Sequence, residues 1–452
     1  MDQRDDGGIQ LVVLGRRLST PENDVNDLLH RMSVYFESMV DADTGRFFLL
    51  SYPSDRAATD PKESRSHVHC PLRDLGSAWD ATKALRVLRA SNGGGRSGGV
   101  AGAGVVTTTD DSTGRILHGA ILRTTTHYAS SLVSFLEDDG GCRHLSPVVL
   151  GEPPNIAHNA LLLLALVASE DLGLLPDDAT MGCSRTSVME ELARGILARQ
   201  RHDGAFRTGF SRTDNNNNNG DEDISGGIEF FPGEAMTALM ELYRHLGVLS
   251  RESEHPLRDE ILRAMLSGLG FYCSYYEEGR ERNTIDANYS VWQIQAFARL
   301  VVALREDQPR KPLPLEKNTA AAFAEQKASG YCLELCEDII RSPAWKLLSR
   351  GQSFYPNLAT LEIACGLDAL SWGVLVLQHA AVGSDEGERL SFVLHKHIDE
   401  AVAFLKWSQD RVPADAVVGY GGLGHGGYCV TEQRLDVTGH ALSAVANLVL
   451  PA

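Results

Sequence analysis

Basic charge is what this sequence has least of. Lysine and arginine number 42 against 60 aspartates and glutamates, a formal net charge of −18 over 452 residues. That balance repels phosphate backbones and anionic headgroups, and no basic run with interleaved aromatics offsets it. Nucleic-acid and membrane partners are therefore not expected. Long apolar runs are scarce too: the best, Ala160 to Ala168, falls well short of the roughly 18 residues of a membrane span and reads as a buried helix. Eight cysteines are scattered without a CxxC pair or a Cys/His cluster. Cys332 and Cys336, one helical turn apart, read as small residues on a buried face rather than as metal ligands. The start, Met1-Asp-Gln-Arg-Asp-Asp6, lacks a basic-then-apolar leader. The expectation is a reduced, cytoplasmic protein that folds without metal, disulfide or cofactor.

Helical periodicity is abundant. Met236, Leu239, Met240, Tyr243 and Leu246 follow the i, i+3, i+4, i+7 rule, as do Ile294, Phe297, Ala298, Val301 and Leu304, and Leu394, Ile398, Val402 and Leu405. Only residues 11–14 and 100–108 look extended. The pattern predicts an all-α chain of six helical hairpins. Outer helices are expected over 25–39, 122–136, 188–200, 257–276, 321–340 and 390–409. Inner partners start near Arg73, Asn155, Pro232, Tyr289, Asn357 and Leu435.

A motif punctuates the outer helix ends: Asp41-Ala-Asp-Thr-Gly-Arg-Phe47, Gln200-Arg-His-Asp-Gly-Ala-Phe206, and Gln409-Asp410 leading to Gly419-Tyr-Gly-Gly-Leu423. Two polar helix entrances follow, Phe231-Pro-Gly-Glu-Ala-Met236 and Arg434-Leu-Asp-Val-Thr-Gly-His440. Two low-complexity segments, 91–104 and 214–223, read as inserted loops, and the three prolines of 305–317 as a connection. The expected layout is a short N-terminal extension, 1–20, and one domain over 21–452.

Six hairpins with Gln-Asp-Gly-Phe exits resemble the (α/α)6 toroid superfamilies. These are the six-hairpin glycosidases with related sugar epimerases and polysaccharide lyases, and, more distantly, the terpenoid-cyclase and prenyltransferase toroids. The resemblance covers nearly the whole chain at the level of architecture. It implies a ring of inner helices with a ligand bound at the mouth formed by their N-terminal ends.

That rim would present Arg73, Asp74 and Asp80; Asn155, His158 and Asn159; Glu229 and Glu234; Tyr289, Trp292 and Gln293; Asn357 and Glu362; and Arg434, Asp436 and His440. Glu234 is the first choice as general acid or base, because Pro232-Gly233 fixes its approach; an acid in a first helical turn is also ordinary helix chemistry. Asp436, one turn before His440, would orient that imidazole, with Asp80 completing the catalytic set. Tyr289, Trp292, His158, Arg434 and Arg73 are candidate binding residues. An aromatic at helical spacing is more often core, and His158, followed by apolar residues, suits a satisfied core histidine. The glycine-rich segment 419–427 has no phosphate-loop lysine and reads as a close-approach loop with His425 and Tyr428 beside it.

Asp436-Val-Thr-Gly-His440 lacks the cysteine of a prenyltransferase zinc set and only faintly echoes the acidic box of a terpene cyclase. Polar, acid-bearing helix entrances suit a small-molecule or oligosaccharide ligand better than an isoprenoid. The expected function is a glycoside hydrolase or sugar epimerase without a metal. The alternatives are a terpenoid-cyclase-like toroid and a non-catalytic helical scaffold.

Overall fold

In the computed structural model, twelve long helices make up most of the described residues. Those residues are 12–13, 16–17, 21–41, 43–44, 46–51, 65–66, 70–93, 112–134, 142–175, 184–210, 227–228, 230–249, 255–282, 287–307, 315–380, 385–411, 423 and 433–449. In chain order the helices are α1 (Glu22–Ser38), α2 (Pro71–Gly93), α3 (Ser112–Ala129), α4 (Ile156–Asp171), α5 (Arg185–Leu197) and α6 (Phe231–Leu249). They continue with α7 (Pro256–Arg282), α8 (Ala287–Asp307), α9 (Leu315–Arg341), α10 (Thr360–Ala380), α11 (Asp385–Asp410) and α12 (Leu435–Val449). The protein is all-α. The largest sheet among the described residues has three two-residue strands, with Leu50–Ser51 between Arg65–Ser66 and Gln433–Arg434.

Even-numbered helices carry the apolar or small faces. α4 is buried on all sides from Ile156 to Val167, as a helix apolar all round must be. Each packs on the next: α2 on α4, α4 on α6, α6 on α8, α8 on α10, and α10 on α12. α12 then returns to α2. Four odd-numbered helices lie across these joints: α1 touches α2 and α12, α3 touches α2 and α4, α5 touches α4 and α6, and α9 touches α8 and α10.

The glutamine motif has a structural job. After α5, Gln200 and Phe206 form a β-bridge around Gly204, whose φ of 98° favours glycine. Gln200 Nε2 then donates to the carbonyls of Gly204 at 3.1 Å and Ala264 at 2.8 Å. Val40 and Phe47 make a matching bridge after α1. After α11, Gln409 Nε2 donates to Leu28 O at 3.4 Å, while Arg31 binds Asp410 and the Gln409 carbonyl. Ala264 lies on α7 and Leu28 on α1. The glutamine thus ties one odd-numbered helix to the next, and the last to the first.

Some expectations need correction. The helix expected over 122–136 starts earlier and stops at Ala129. The Ser130 and Ser131 hydroxyls donate to the His127 and Tyr128 carbonyls there, which ends the helix, and Leu132–Ser134 pairs with Arg143–Leu145. α10 starts at Thr360 rather than at Asn357, which closes a short 3₁₀ turn, Gln352–Asn357, containing Pro356. Ala160 to Ala168 is not the most span-like stretch. Thr360–His379 is long and apolar enough to cross a membrane, with mean hydropathy 1.5, yet 78% of it is buried inside the protein. The segment 91–104 gives its first three residues to α2; the rest of it, and 214–223, lie outside the described residues. So does most of 1–20, although Val12–Val13 pairs with Arg16–Arg17.

Candidate acid/base centre

Five even-numbered helices bring polar or aromatic side chains to one place. Glu234 comes from the first turn of α6, His440 from α12, Trp292 from α8, Trp79 and Asp80 from α2, and Asp368 from α10. Trp79 and Trp292 stack with ring centroids 5.9 Å apart, and Trp292 meets the His440 ring edge-on at 6.0 Å. Glycine permits the close approach at two joints. A Cβ at Gly233 would fall 2.5 Å from Trp292 Cβ, and one at Gly439 would overlap the Asp80 carboxyl.

A buried polar network links the groups. His440 Nδ1 lies 3.4 Å from Asp368 Oδ2, while Ser443 Oγ donates to Asp368 Oδ1 at 3.0 Å and Gln295 Nε2 to Oδ2 at 3.3 Å. Lys83 Nζ donates to Asp80 Oδ1 at 3.0 Å and Ser443 Oγ at 2.9 Å, and it sits 3.4 Å above the Trp79 ring. Burial alone would strip the proton from His440. The Cys365 side chain and the Asp368 carboxylate outweigh it and hold the imidazole protonated. Burial pushes the Asp80 carboxyl up against the pull of Lys83 and His440.

Glu234 is the carboxyl whose ionisation lies nearest neutrality. Burial pushes its carboxyl up to about 7, moderated by the positive charge of His440. Its Oε2 is buried and accepts no hydrogen bond from a described residue, and the same holds for Thr237 Oγ1, Gln293 Oε1 and Gln295 Oε1 on α6 and α8. Buried polar atoms almost always have partners, so Glu234 and Thr237, one turn apart on α6, suit a polar ligand or ordered water.

Other sequence candidates lie apart from this arrangement. Asp436 does not orient His440; Asp368 does. Arg434 grips Asp436 through both nitrogens at 3.0 and 2.6 Å, and Arg73 reaches it at 3.4 Å. Burial favours its protonation, but the two guanidiniums outweigh that and keep it ionised. Tyr289 belongs to the core rather than to a wall: its hydroxyl meets Tyr331 at 2.8 Å and donates to Tyr272 O at 3.1 Å. His158 closes a capping box with Asn155 at the start of α4 and contacts Glu152 at 3.0 Å. Asp74 accepts from the Tyr128 hydroxyl, and Asn159 donates to the Arg143 and Leu192 carbonyls; both are ties between elements. Glu229, His425 and Tyr428 lie outside the described residues.

Sequence reasoning passed over Asp368, Trp79, Lys83 and Ser443. Asp368 did leave a signal. It is the one charge between Ile363 and Gln378, a stretch otherwise almost wholly apolar, and a carboxylate there needs a buried partner.

Beyond the acid/base layer lies a cavity of about 1010 Å³, lined by the later turns of all six even-numbered helices. Glu234, Trp292 and His440 fall in the first two turns of their helices, away from the cavity, while Trp79 and Lys83 belong both to the polar network and to the cavity lining. Among the described residues no group of three or more His, Cys, Asp or Glu is placed to hold a metal ion. Compared with known proteins, the sequence matches no family model and no curated protein.

Proposed function

We propose that the six helix pairs form a six-hairpin toroid and that the protein is a carbohydrate-active enzyme, a glycosidase or sugar epimerase, working by general acid/base catalysis. The circuit of contacts from α2 through α12 and back to α2 supports the ring, as do the glutamine ties between odd-numbered helices. One observation carries the chemistry: Glu234, titrating at about 7 with a buried oxygen unpartnered among the described residues, beside an imidazole that Cys365 and Asp368 hold protonated.

At neutral pH a carboxyl of this kind is present in both forms, which suits proton transfer in either direction. In a hydrolase, protonated Glu234 gives its proton to the glycosidic oxygen as the C–O bond breaks, and water adds to the anomeric carbon and returns a proton to the carboxylate. In an epimerase, ionised Glu234 takes the proton from a carbon beside a carbonyl, and the enolate is reprotonated on its other face by a solvent-exchangeable proton, the imidazolium of His440 being the nearby donor. The buried Trp79/Trp292 stack forms an apolar wall beside these groups. A terpenoid cyclase would want a dry aromatic vault, whereas His440 sits in a polar network with Asp368, Ser443, Gln295 and Lys83.

The test is a panel of oligosaccharides and free sugars assayed in D₂O. Release of reducing ends identifies a hydrolase, and solvent deuterium in recovered sugar identifies an epimerase. Glu234→Gln should lower turnover by roughly 10²–10⁴. A Glu234→Gln protein with full activity would show that this residue merely opens a helix.

A further inference from the structure

The 1010 Å³ cavity has a charge that the rest of the chain does not. Its lining holds five cations, Lys83, Arg86, Arg244, Arg258 and Arg299, against three acids, Asp171, Glu241 and Glu306, in a protein of net charge −18. Carboxylates are plentiful over the chain as a whole, yet here the arginines must share them. Asp171 Oδ2 is gripped by Arg244 and lies 4.0 Å from Arg86, while Asp171 Oδ1 meets His245 at 2.9 Å. Glu241 serves both Arg244 and Arg299. Burial favours protonation of Asp171 and Glu241, but the surrounding cations outweigh it and hold each at about 2. Asp171 and Glu241 are both committed to these cations, and with Lys83 matched by Asp80 outside the lining, four guanidiniums face three carboxylates there.

Helix dipoles do not explain the cations. The negative end of a helix acts within its last turn, whereas Arg86, Arg244 and Arg299 sit more than a turn from the ends of α2, α6 and α8. Three of the cations are braced against aromatic rings: Lys83 over Trp79, Arg258 over Tyr243 at 4.2 Å, and Arg299 over Trp372 at 3.6 Å. Braced guanidiniums lose little freedom on meeting an oxyanion, and their forked donors match phosphate and carboxylate oxygens.

We propose that this cavity is a second binding site, taking a small oxyanion-bearing molecule of sugar size, a phosphate ester or a carboxylate, at the later turns of the helices and away from Glu234. Arg86 and Arg244, with side chains 45% and 49% exposed, supply the reachable guanidiniums. The cavity's volume accommodates such a ligand with room to spare. The site stands on this geometry alone and not on the acid/base function.

Isothermal titration at low salt tests it, using glucose 6-phosphate, glucuronate and uncharged glucose. At least one anion should bind with one-to-one stoichiometry and glucose should not; the stronger anion tells phosphate from carboxylate. Arg86→Gln and Arg244→Gln, both at half-exposed positions, should each weaken binding about ten-fold or more, whereas Glu234→Gln should leave it unchanged. No heat with either anion would overturn the proposal. So would binding that survives both arginine variants, or binding lost in Glu234→Gln, which would put the anion at Glu234.

Discussion

Replacing Glu234 with glutamine should stabilise the protein at alkaline pH, even though it removes the proposed proton carrier. Burial raises this carboxyl from its ordinary 4.5 to about 7, so in that window the folded protein keeps a proton that the unfolded chain has released. Stability from this group is fully present below the lower value and is lost as pH rises through the upper one. Each tenfold change in proton affinity is worth about 1.4 kcal/mol, which sets the loss at no more than ~3.5 kcal/mol. Glu234 is partly exposed, so solvent screening trims that figure. Glutamine has the same shape and no ionisation, so its protein escapes the loss. Urea unfolding of both proteins at about pH 5, 6, 7 and 8 isolates the effect, since other titrations are largely shared and cancel in the difference. The variant's advantage should grow by ~2–3 kcal/mol from the acid to the alkaline end. Parallel stability profiles would refute a raised carboxyl at this position.

Two further outcomes follow from the same network. Asp368→Asn should leave the buried imidazole without its counter-charge, lowering the His440 titration point seen by NMR and costing about 3–5 kcal/mol of stability; an unmoved titration would show that Asp368 does not hold the proton. Gly439→Ala should force α12 away from Asp80 and cost about 1–3 kcal/mol in thermal or denaturant unfolding, and adding Asp80→Gly should recover much of it. Equal, additive losses in the double variant would mean that the two residues do not press on each other.

Local chemistry made much of this protein legible from its sequence. The 3.6-residue periodicity around Met236, Ile294 and Leu394 marked real helices, because an apolar stripe is a property of neighbouring residues alone. The Gln200 and Gln409 motifs marked real helix ends for the same reason. Glu234, Asp80, Trp292 and His440 were picked out as polar or aromatic residues in early helical turns, and the fold gathers all four. Which of them share a charge was beyond sequence reasoning. Asp436 stands one turn from His440 yet is taken by Arg434 and Arg73, while Asp368, 72 residues away, takes the imidazole. Tyr289 and Trp292 sit on one helix entrance, but one faces a cluster of tyrosines and the other a tryptophan and a histidine. Periodicity along a helix determines which residues share a face. The crossing of separate helices, fixed where Gly233 and Gly439 allow close approach, decides what each face meets, and with it which carboxylate is buried, which is paired, and which is left at about 7.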